Sequence, residues 1–236
     1  MSELLRKAET SDIPEITKIW QSSFGDEKEY IDFFLQNRFM DIDTLVFEKE
    51  GKVVSQLFLI SCRIKNISGY YLYAAATDSE YRGQGIMASL LGFAESYAKD
   101  NGADFIFLVP GNESLYRYYE RFGYEKAFYK SIPACFNAFE KASYDKEKIV
   151  HILQNTDNIV SFDDKTLRYC IEEFDKYRGQ IFTVCDTSVV MVSGDTAVTV
   201  PESDLSEREV GGMILKLTQS ADSVNFDDIR VIFPKE

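Results

Sequence analysis

The sequence predicts a mixed α/β (α+β) protein, because strand-like and helix-like patterns alternate along the chain. Apolar runs of strand length occur at Leu72–Thr77 and at Phe105–Val109. Between them, Ile86, Leu90 and Ala94 recur at the three-and-four spacing of an amphipathic helix. The chain has 236 residues, of which 45% are hydrophobic, so it can bury a full core as one large domain or two small ones.

The first 132 residues contain a run of predicted elements that would form one sheet and its covering helices. Asp12, followed three positions later by Glu15, is typical of a helix start. Glu50-Gly51-Lys52 is typical of the turn in a β-hairpin. In chain order the sequence predicts strand Leu4–Lys7, a helix beginning near Asp12, helix Glu27–Arg38, strands Thr44–Glu48, Val53–Ile64 and Tyr70–Thr77, helix Ile86–Lys99, strand Phe105–Val109, helix Asn112–Phe122 and strand Tyr124–Ser131.

From Ile132-Pro133 onward the composition changes, which predicts a boundary between a domain at 1–132 and a smaller α+β lobe at 133–236. The second part carries 19 acidic and 11 basic residues. The helix–three strands–helix–strand order from Asp163 onward repeats that of the first part, so the lobe is either an incomplete second copy of the first fold or an unrelated cap. Its predicted elements are helices Asp145–Gln154 and Asp163–Tyr177, strands near Gln180–Cys185, Val189–Ser193 and Ala197–Val200, a helix over Asp204–Gln219 and a strand at Ile229–Phe233.

The turn between the strand Leu72–Thr77 and the next helix has the features of an anion-binding loop. It reads Arg82-Gly83-Gln84-Gly85. Two glycines let the backbone turn its N–H groups inward, and the first N–H groups of the helix have no partner within the helix. A helix N-terminus favours phosphate, and an arginine beside it adds a forked cation. The pattern predicts a phosphate-binding loop, although a glycine turn before an ordinary helix would look the same in isolation.

A longer motif follows the next strand. It reads NESLYRYYERFGY, from Asn112 to Tyr124. Together with the strand, glycine loop, helix and strand before it, this segment resembles the GNAT superfamily of N-acetyltransferases, over about residues 1–132. The resemblance implies the GNAT acyl-CoA N-acyltransferase fold, with a mixed, mostly antiparallel central sheet. It also implies an enzyme that moves an acetyl group from acetyl-CoA to a primary amine by direct transfer in a ternary complex.

The same resemblance assigns roles to individual residues. Tyr119 matches the family's tyrosine and would donate a proton to the departing thiolate, since tyrosine is protonated at neutral pH. The backbone of the preceding strand would pair with the pantetheine arm. The residues implied to bind the cofactor are Ala75, Ala76, Thr77, Arg82, Gly83, Gln84, Gly85, Ile86, Met87 and Asn112. Met87 stands where the family has glycine or alanine, and the variant R-G-x-G-I-M is similar to the Eis-like acetyltransferases.

Several alternatives stay open at the level of sequence. Tyr116 is a second candidate for the proton donor. The strand before the loop has no carboxylate, so the general base is a water chain, a loop acid such as Asp78 or Glu80, or an acid of the C-terminal lobe. A non-catalytic acyl-CoA-binding sensor or interaction module is the rival function. A dinucleotide oxidoreductase is disfavoured, because no acid ends the strand Phe105–Val109 as that fingerprint requires.

Composition narrows the classes of partner. The net charge of −13 argues against nucleic acid, which requires a basic face. The sequence has neither a signal peptide pattern nor a long apolar run, so we expect a cytoplasmic protein that does not bind membranes. Its four cysteines are scattered and it has one histidine, His151, so no metal site is expected. A homodimer is left open.

The excess of acid in the C-terminal lobe predicts a cationic acceptor, such as a polyamine, an amino sugar or a basic peptide. Carboxylates would attract a protonated amine and could accept its proton. The candidate acids are Glu202, Asp204, Glu207 and the C-terminal carboxylate of Glu236. Surface acids that only keep the lobe soluble would give the same composition.

Overall fold

The alternating apolar patterns of the sequence fold into two β-sheets with their covering helices. A computed structural model of the chain describes residues 2–131, 134–135, 142–184, 187–201 and 208–233. The elements of the first part, with their observed bounds, are β1 (Glu3–Lys7), α1 (Ile13–Phe24), α2 (Lys28–Arg38), β2 (Asp43–Lys49), β3 (Lys52–Ile64), β4 (Ile67–Thr77), α3 (Ile86–Asp100), β5 (Phe105–Leu108), α4 (Glu113–Glu120) and β6 (Glu125–Ser131). Each lies at its predicted position.

The rest of the chain forms shorter strands and helices. They are β7 (Ala134–Cys135), β8 (Ala142–Ser143), α5 (Lys146–Gln154), β9 (Ser161–Phe162), α6 (Asp164–Tyr177), β10 (Gln180–Val184), β11 (Ser188–Ser193), β12 (Thr196–Val200), β13 (Arg208–Lys216) and α7 (Gln219–Asp222). Some residues of the sequence analysis lie outside the described ones: Ile132, Pro133, Cys185, Glu202, Asp204, Glu207 and Glu236.

Two predictions for the second part are wrong. The helix predicted over Asp204–Gln219 is instead the strand β13 from Arg208 onward, which pairs antiparallel with β5. Glycine is a poor helix former, and Gly211 lies so close to another strand that a Cβ there would be 2.5 Å from the carbonyl carbon of Tyr129. The strand predicted at Ile229–Phe233 is reduced to one bridging residue, Arg230, because a short 3-10 turn precedes it.

The larger sheet is mixed and mostly antiparallel, as predicted. Its strand order is β1-β2-β3-β4-β5-β13-β6, with β9 paired to β3. Among the strand pairs whose register is described, β4 and β5 form the parallel pair. The smaller sheet has the order β7-β12-β11-β10-β8. The order α6, β10, β11, β12 repeats that of α2, β2, β3, β4, but residues 208–216 do not form the helix that a full repeat needs next. The incomplete second copy therefore stays a prediction.

Contacts within the chain divide it into two units. The first unit comprises Met1–Ser61, Ile67–Glu125 and Met213–Ser223, and the second comprises Cys62–Asn66, Lys126–Gly212 and Val224–Glu236. Of the helices in the described ranges, none combines the length and the apolar character needed to span a bilayer.

The first unit buries apolar side chains on both faces of its sheet. On one face, leucines of β2, β3 and β4 pack against Leu90 and Leu91 of α3. On the other face, Trp20 of α1 contacts Phe34 and Phe58, with ring centroids 5.0 and 5.3 Å apart. The aromatic residues of α1 and α2 are thus mainly core, since amphipathic helices bury such stripes against a sheet.

The strand β4 changes direction before it reaches the glycine loop. Ala74 has a φ of 48°, a left-handed conformation that a non-glycine residue adopts only when its surroundings require it. The parallel pairing with β5 joins Gly69 to Phe105 and ends at Tyr71, whereas β4 continues to Thr77. The last part of β4 therefore has an edge that β5 does not cover, and this opening positions the site.

Gly69→Ala should destabilise the protein by about 3 kcal/mol, as expected for overpacking against backbone. An added methyl group would lie 2.6 Å from the ring and the carbonyl oxygen of Phe105. Gly92→Ala is the matched control, because Gly92 lies exposed inside α3 and its methyl group would meet nothing within 4 Å. That variant should gain up to about 1 kcal/mol. Urea unfolding of both variants checks this, and equal midpoints would contradict it.

Candidate functional site

The glycine loop has the backbone geometry of an anion site. Gly83 and Gly85 have φ values of 76° and 77°, in the left-handed region that suits glycine. Gly85 is the N-cap of α3, and no side chain caps this helix end. The first N–H groups of α3 are therefore available to an anion, which the helix dipole also favours.

A cavity of about 740 Å³ opens beside this loop, within the first unit. The loop, the end of β4, the last turn of α1 and one face of α4 contribute its walls. The lining residues are Ser23, Phe24, Ala75, Ala76, Thr77, Tyr81, Arg82, Gly83, Gly85, Ile86, Met87, Ala88, Leu115, Tyr118, Tyr119, Arg121 and Phe122. The volume is within the range of small-molecule sites. Most residues predicted from the sequence to bind the cofactor thus lie in one place.

The exposed edge of β4 presents backbone groups to this cavity. The carbonyl of Ala76 accepts from the Ser55 hydroxyl at 2.9 Å, and the N–H of Asp78 donates to Val54 at 2.9 Å, so these groups face β3. Because backbone groups alternate along a strand, those of Ala75 and Thr77 face the opposite edge. Of the three residues predicted to pair with an extended ligand, Ala75 and Thr77 have the required orientation.

Basic side chains surround the loop of this acidic protein. Arg82 donates through Nε to the Thr77 carbonyl at 3.0 Å and through Nη2 to the Ser23 hydroxyl at 3.2 Å, which ties the loop to β4 and α1. Lys49 donates to the side chain of Gln84 at 3.1 Å. Arg121 lies 4.9 Å from the centre of the Tyr118 ring. Lys49 also forms an ion pair with Glu3 at 3.1 Å, so Arg82 and Arg121 are the cations of the described lining that favour an anionic ligand.

Tyr119 is the most buried tyrosine of the lining. It is 8% exposed and packs against the ring of Tyr124 at 5.7 Å. Burial raises the pKa of Tyr119 well above its ordinary value, and the neighbouring Tyr118 adds to the shift in pKa. Burial also raises the pKa of Tyr118, which is half-buried. Both hydroxyls therefore stay protonated at neutral pH, as a proton donor must.

Three residues that the sequence analysis assigned to the site are not among the described residues that line the cavity. The side chain of Asn112 caps α4, because its Oδ1 accepts from the N–H groups of Ser114 and Leu115. Gln84 points to Lys49, and Tyr116 packs against the core. The role of Asn112 in binding the cofactor stays a prediction, and helix capping already accounts for an asparagine at this position.

Among the described residues, the lining contains no aspartate, glutamate or histidine. The carboxylate of Asp78 accepts from the N–H of Glu80 and lies 3.5 Å from Nζ of Lys52, so it stabilises the turn before the loop. His151 lies exposed on α5, and Cys62 and Cys170 are buried thiols. Within the described ranges, no group of three or more potential ligands is placed to hold a metal ion.

The sequence interpretation missed part of the lining. Ser23 and Phe24 belong to the last turn of α1, far from the motif in sequence, and Phe24 is 44% exposed. In the sequence, a phenylalanine before Gly25 is only a weak indication of a residue that lines a ligand site. Arg121 and Phe122 lie two and three positions after Tyr119, and their place inside the motif Asn112–Tyr124 is the signal that points to them.

A protein-family model described as an acetyltransferase (GNAT) domain matches residues 5–127, more than half of the chain. The chain belongs to this family. As a GNAT acetyltransferase it is by class an acetyl-CoA-dependent N-acetyltransferase, with acetyl-CoA as the acetyl donor. The uncapped α3 N-terminus and the exposed β4 edge fit the pyrophosphate and the amide-bearing arm of that donor. The narrower resemblance to the Eis-like branch stays a prediction, and comparison with curated proteins finds no match.

Solved structures resemble this GNAT acetyltransferase over almost its whole length. A candidate acetyltransferase from Pyrococcus horikoshii matches with a TM-score of 0.64 and 11% identity, covering 99% of this chain and 96% of its own. A GCN5-related N-acetyltransferase from Kribbella flavida has a TM-score of 0.61 and 13% identity, and the match covers 92% of this chain and 72% of the Kribbella chain. A candidate N-acyltransferase from Enterococcus faecalis V583 has a TM-score of 0.61 and 13% identity, and this chain covers 64% of it. The likeness concerns the fold.

Proposed function

We propose that this GNAT acetyltransferase moves an acetyl group from acetyl-CoA directly to a primary amine, with both substrates bound together. One observation carries the proposal. A single cavity brings together an uncapped helix N-terminus, an exposed strand edge and a buried tyrosine, at Gly85, Thr77 and Tyr119. These parts match the needs of the reaction, which are an anion site, an extended groove and a proton donor.

The geometry of the chain supports the following binding roles. The N–H groups at the start of α3, with Arg82 beside them, hold the pyrophosphate. The backbone of Ala75 and the N–H group of Thr77 pair with the amides of the pantetheine arm, as one strand pairs with another, while the Thr77 carbonyl accepts from Arg82. Met87 lines the cavity at the position where the family has a smaller residue, and its flexible side chain can adapt to the ligand.

Tyr119 supplies the proton that the departing sulfur needs. The donor contributes a thioester whose carbonyl carbon reacts with the amine, and the C–S bond breaks as the C–N bond forms. The departing thiol has a reference pKa near 8.5, below that of tyrosine, so Tyr119 gives up its proton only as negative charge develops on the sulfur, and the resulting tyrosinate regains a proton from solvent. Burial of Tyr119 keeps its proton in place until that step.

The amine must lose a proton before it reacts, and the described lining has no carboxylate or histidine to accept it. We infer that water removes this proton. The protein itself then contributes orientation and a proton donor. This arrangement has a direct consequence for the pH dependence of the rate.

The kcat/KM for the amine should rise about tenfold per pH unit between about pH 7 and about pH 9, because an amine of reference pKa near 10.4 becomes deprotonated in that direction. No descending limb should appear below about pH 10, because burial holds the pKa of Tyr119 above its ordinary value. A stopped or continuous assay of thiol release over this range gives the profile. A rate that falls before pH 9 would indicate a different proton donor.

We infer further that the acceptor is cationic, such as a polyamine, an amino sugar or a basic peptide. The net charge of −13 supports this inference, because a negative protein attracts a protonated amine. For a polyamine, KM should rise several-fold as salt increases from about 0.1 M to about 1 M, because the Debye length falls from about 10 Å to about 3 Å. A neutral amine of similar size should show little change, and equal responses would contradict the inference.

The function is tested by thiol release from acetyl-CoA with a panel of amines, together with mass spectrometry of each amine. The proposal predicts release of free thiol that depends on the amine, with one acetyl group added to it. Binding of acetyl-CoA without turnover on any amine would instead favour the sensor. The lack of an acid in the described lining is the observation that keeps this rival in view.

A further inference from the structure

The wall that α4 contributes to the cavity beside the glycine loop combines apolar side chains with an arginine. Leu115, Tyr118, Arg121 and Phe122 belong to this wall, and their three- and four-residue spacing places them on one side of the helix and its last turn. Leu115 is 37% exposed, and the ring centroids of Tyr118 and Phe122 lie 5.1 Å apart. Apolar side chains that remain accessible inside a cavity indicate contact with a ligand.

Arg121 presents its guanidinium group at the exposed end of this wall. Its Cζ lies 4.9 Å from the centre of the Tyr118 ring, and its Nε donates to the Tyr118 carbonyl at 3.5 Å. Among the described residues, neither contact uses Nη1 or Nη2, so the planar fork of the group is available to a ligand. Arg121 is an exposed residue, whereas Tyr119 is 8% exposed. The wall therefore runs from a buried hydroxyl to a solvated cation.

Acetyl-CoA carries two separate anionic groups, and the described lining has two arginines on different elements. Arg82 is held in the glycine loop by its bonds to Thr77 and Ser23, beside the N–H groups that suit the pyrophosphate. Arg121 belongs to α4 instead. Beyond the pyrophosphate, the donor has an adenine ring and a terminal 3′-phosphate, and such a phosphate monoester is largely a dianion at neutral pH because its second pKa is about 6.

The chemistry of the α4 wall matches this end of the donor. A terminal phosphate offers several oxygens to the fork of an arginine, and its strong hydration suits an exposed position such as that of Arg121. An adenine ring has a flat, apolar face that packs on aliphatic and aromatic side chains, and Leu115 and Phe122 present such a surface.

We propose that α4 holds the nucleotide end of acetyl-CoA, with the 3′-phosphate at Arg121 and the adenine ring against Leu115 and Phe122. Arg121 thereby distinguishes acetyl-CoA from donors that lack this phosphate. The inference rests on the proposed donor site beside α3. It depends neither on the identity of the amine nor on the role of Tyr119.

Calorimetry with coenzyme A and dephospho-coenzyme A tests the proposal, because the two probes differ only in the 3′-phosphate. The parent should bind coenzyme A about fivefold or more tightly, as expected for a charge-assisted contact at an exposed site. Arg121→Met should weaken coenzyme A binding by about the same factor and change the affinity for dephospho-coenzyme A less than about twofold. Arg117→Met is the matched control, because Arg117 is an exposed arginine of α4 outside the described lining, and its loss should leave both affinities unchanged.

Arg82→Met separates the two phosphate sites. It should weaken both probes alike, since both contain the pyrophosphate. The proposal is overturned if the parent binds the two probes equally, or if Arg121→Met weakens both by the same factor, which would place Arg121 at the pyrophosphate. Failure of the parent to bind either probe would overturn the donor site as well, whereas equal binding of both probes would leave that site standing.

Discussion

Gly85→Val is expected to weaken acetyl-CoA binding by about 100-fold or more, because each lost hydrogen bond to a charged group contributes about 1.5–3 kcal/mol. Gly85 has a φ of 77° and lies where the phosphates would approach the start of α3. A β-branched residue strains this conformation and places its side chain between the N–H groups and the ligand. Isothermal calorimetry with acetyl-CoA measures the loss.

Gly102→Val separates strain from binding. Gly102 follows α3, has a φ of 73°, and a Cβ there would meet nothing within 4 Å, as at Gly85. This variant should lose a similar amount of stability and keep its affinity for acetyl-CoA. If a folded Gly85→Val protein binds as the parent does, the glycine loop is not the phosphate site.

Tyr119→Phe is expected to lower kcat by about 100- to 10,000-fold, the usual contribution of a general acid. The change removes one hydroxyl and keeps the ring that packs against Tyr124. Because the proton moves only as the thiol departs, affinity for acetyl-CoA should change little. Steady-state thiol release gives kcat, and calorimetry gives the affinity.

Tyr118→Phe is the matched control for this variant, since Tyr118 adjoins Tyr119 on α4 and lines the same cavity. It should keep at least about a third of the parent kcat, because it does not donate the proton. Loss of activity in Tyr118→Phe, with a decrease below about threefold in Tyr119→Phe, would move the role to Tyr118. Tyr116→Phe completes the series and tests the alternative raised by the sequence.

Local patterns predicted the loop because its geometry depends on adjacent residues. Gly83 and Gly85 adopt left-handed conformations that the sequence itself indicates, and α3 begins directly after them. The spacing of apolar residues likewise placed β2, β3, β4 and α3 correctly. These features depend on residues within one turn or one strand of each other.

Features that depend on distant partners were not predictable in this way. The kink at Ala74 and the end of the β4–β5 pairing at Tyr71 depend on how two strands meet, so the opening of the cavity is a tertiary property. The contact of Arg82 with Ser23 joins residues 59 positions apart. The strand β13 looked helical because its apolar residues fit either period, and its pairing with β5 decided the outcome.

Hydrogen–deuterium exchange of the full chain, with and without coenzyme A, tests the central claim most directly. The account predicts that coenzyme A slows exchange at the backbone amides of residues 83–88, which form the glycine loop and the start of α3, and at those of Ala75 and Thr77. Amides of the C-terminal unit around Arg230 should exchange as before. Slower exchange confined to that unit, or no change at residues 83–88 at saturating coenzyme A, would contradict the account.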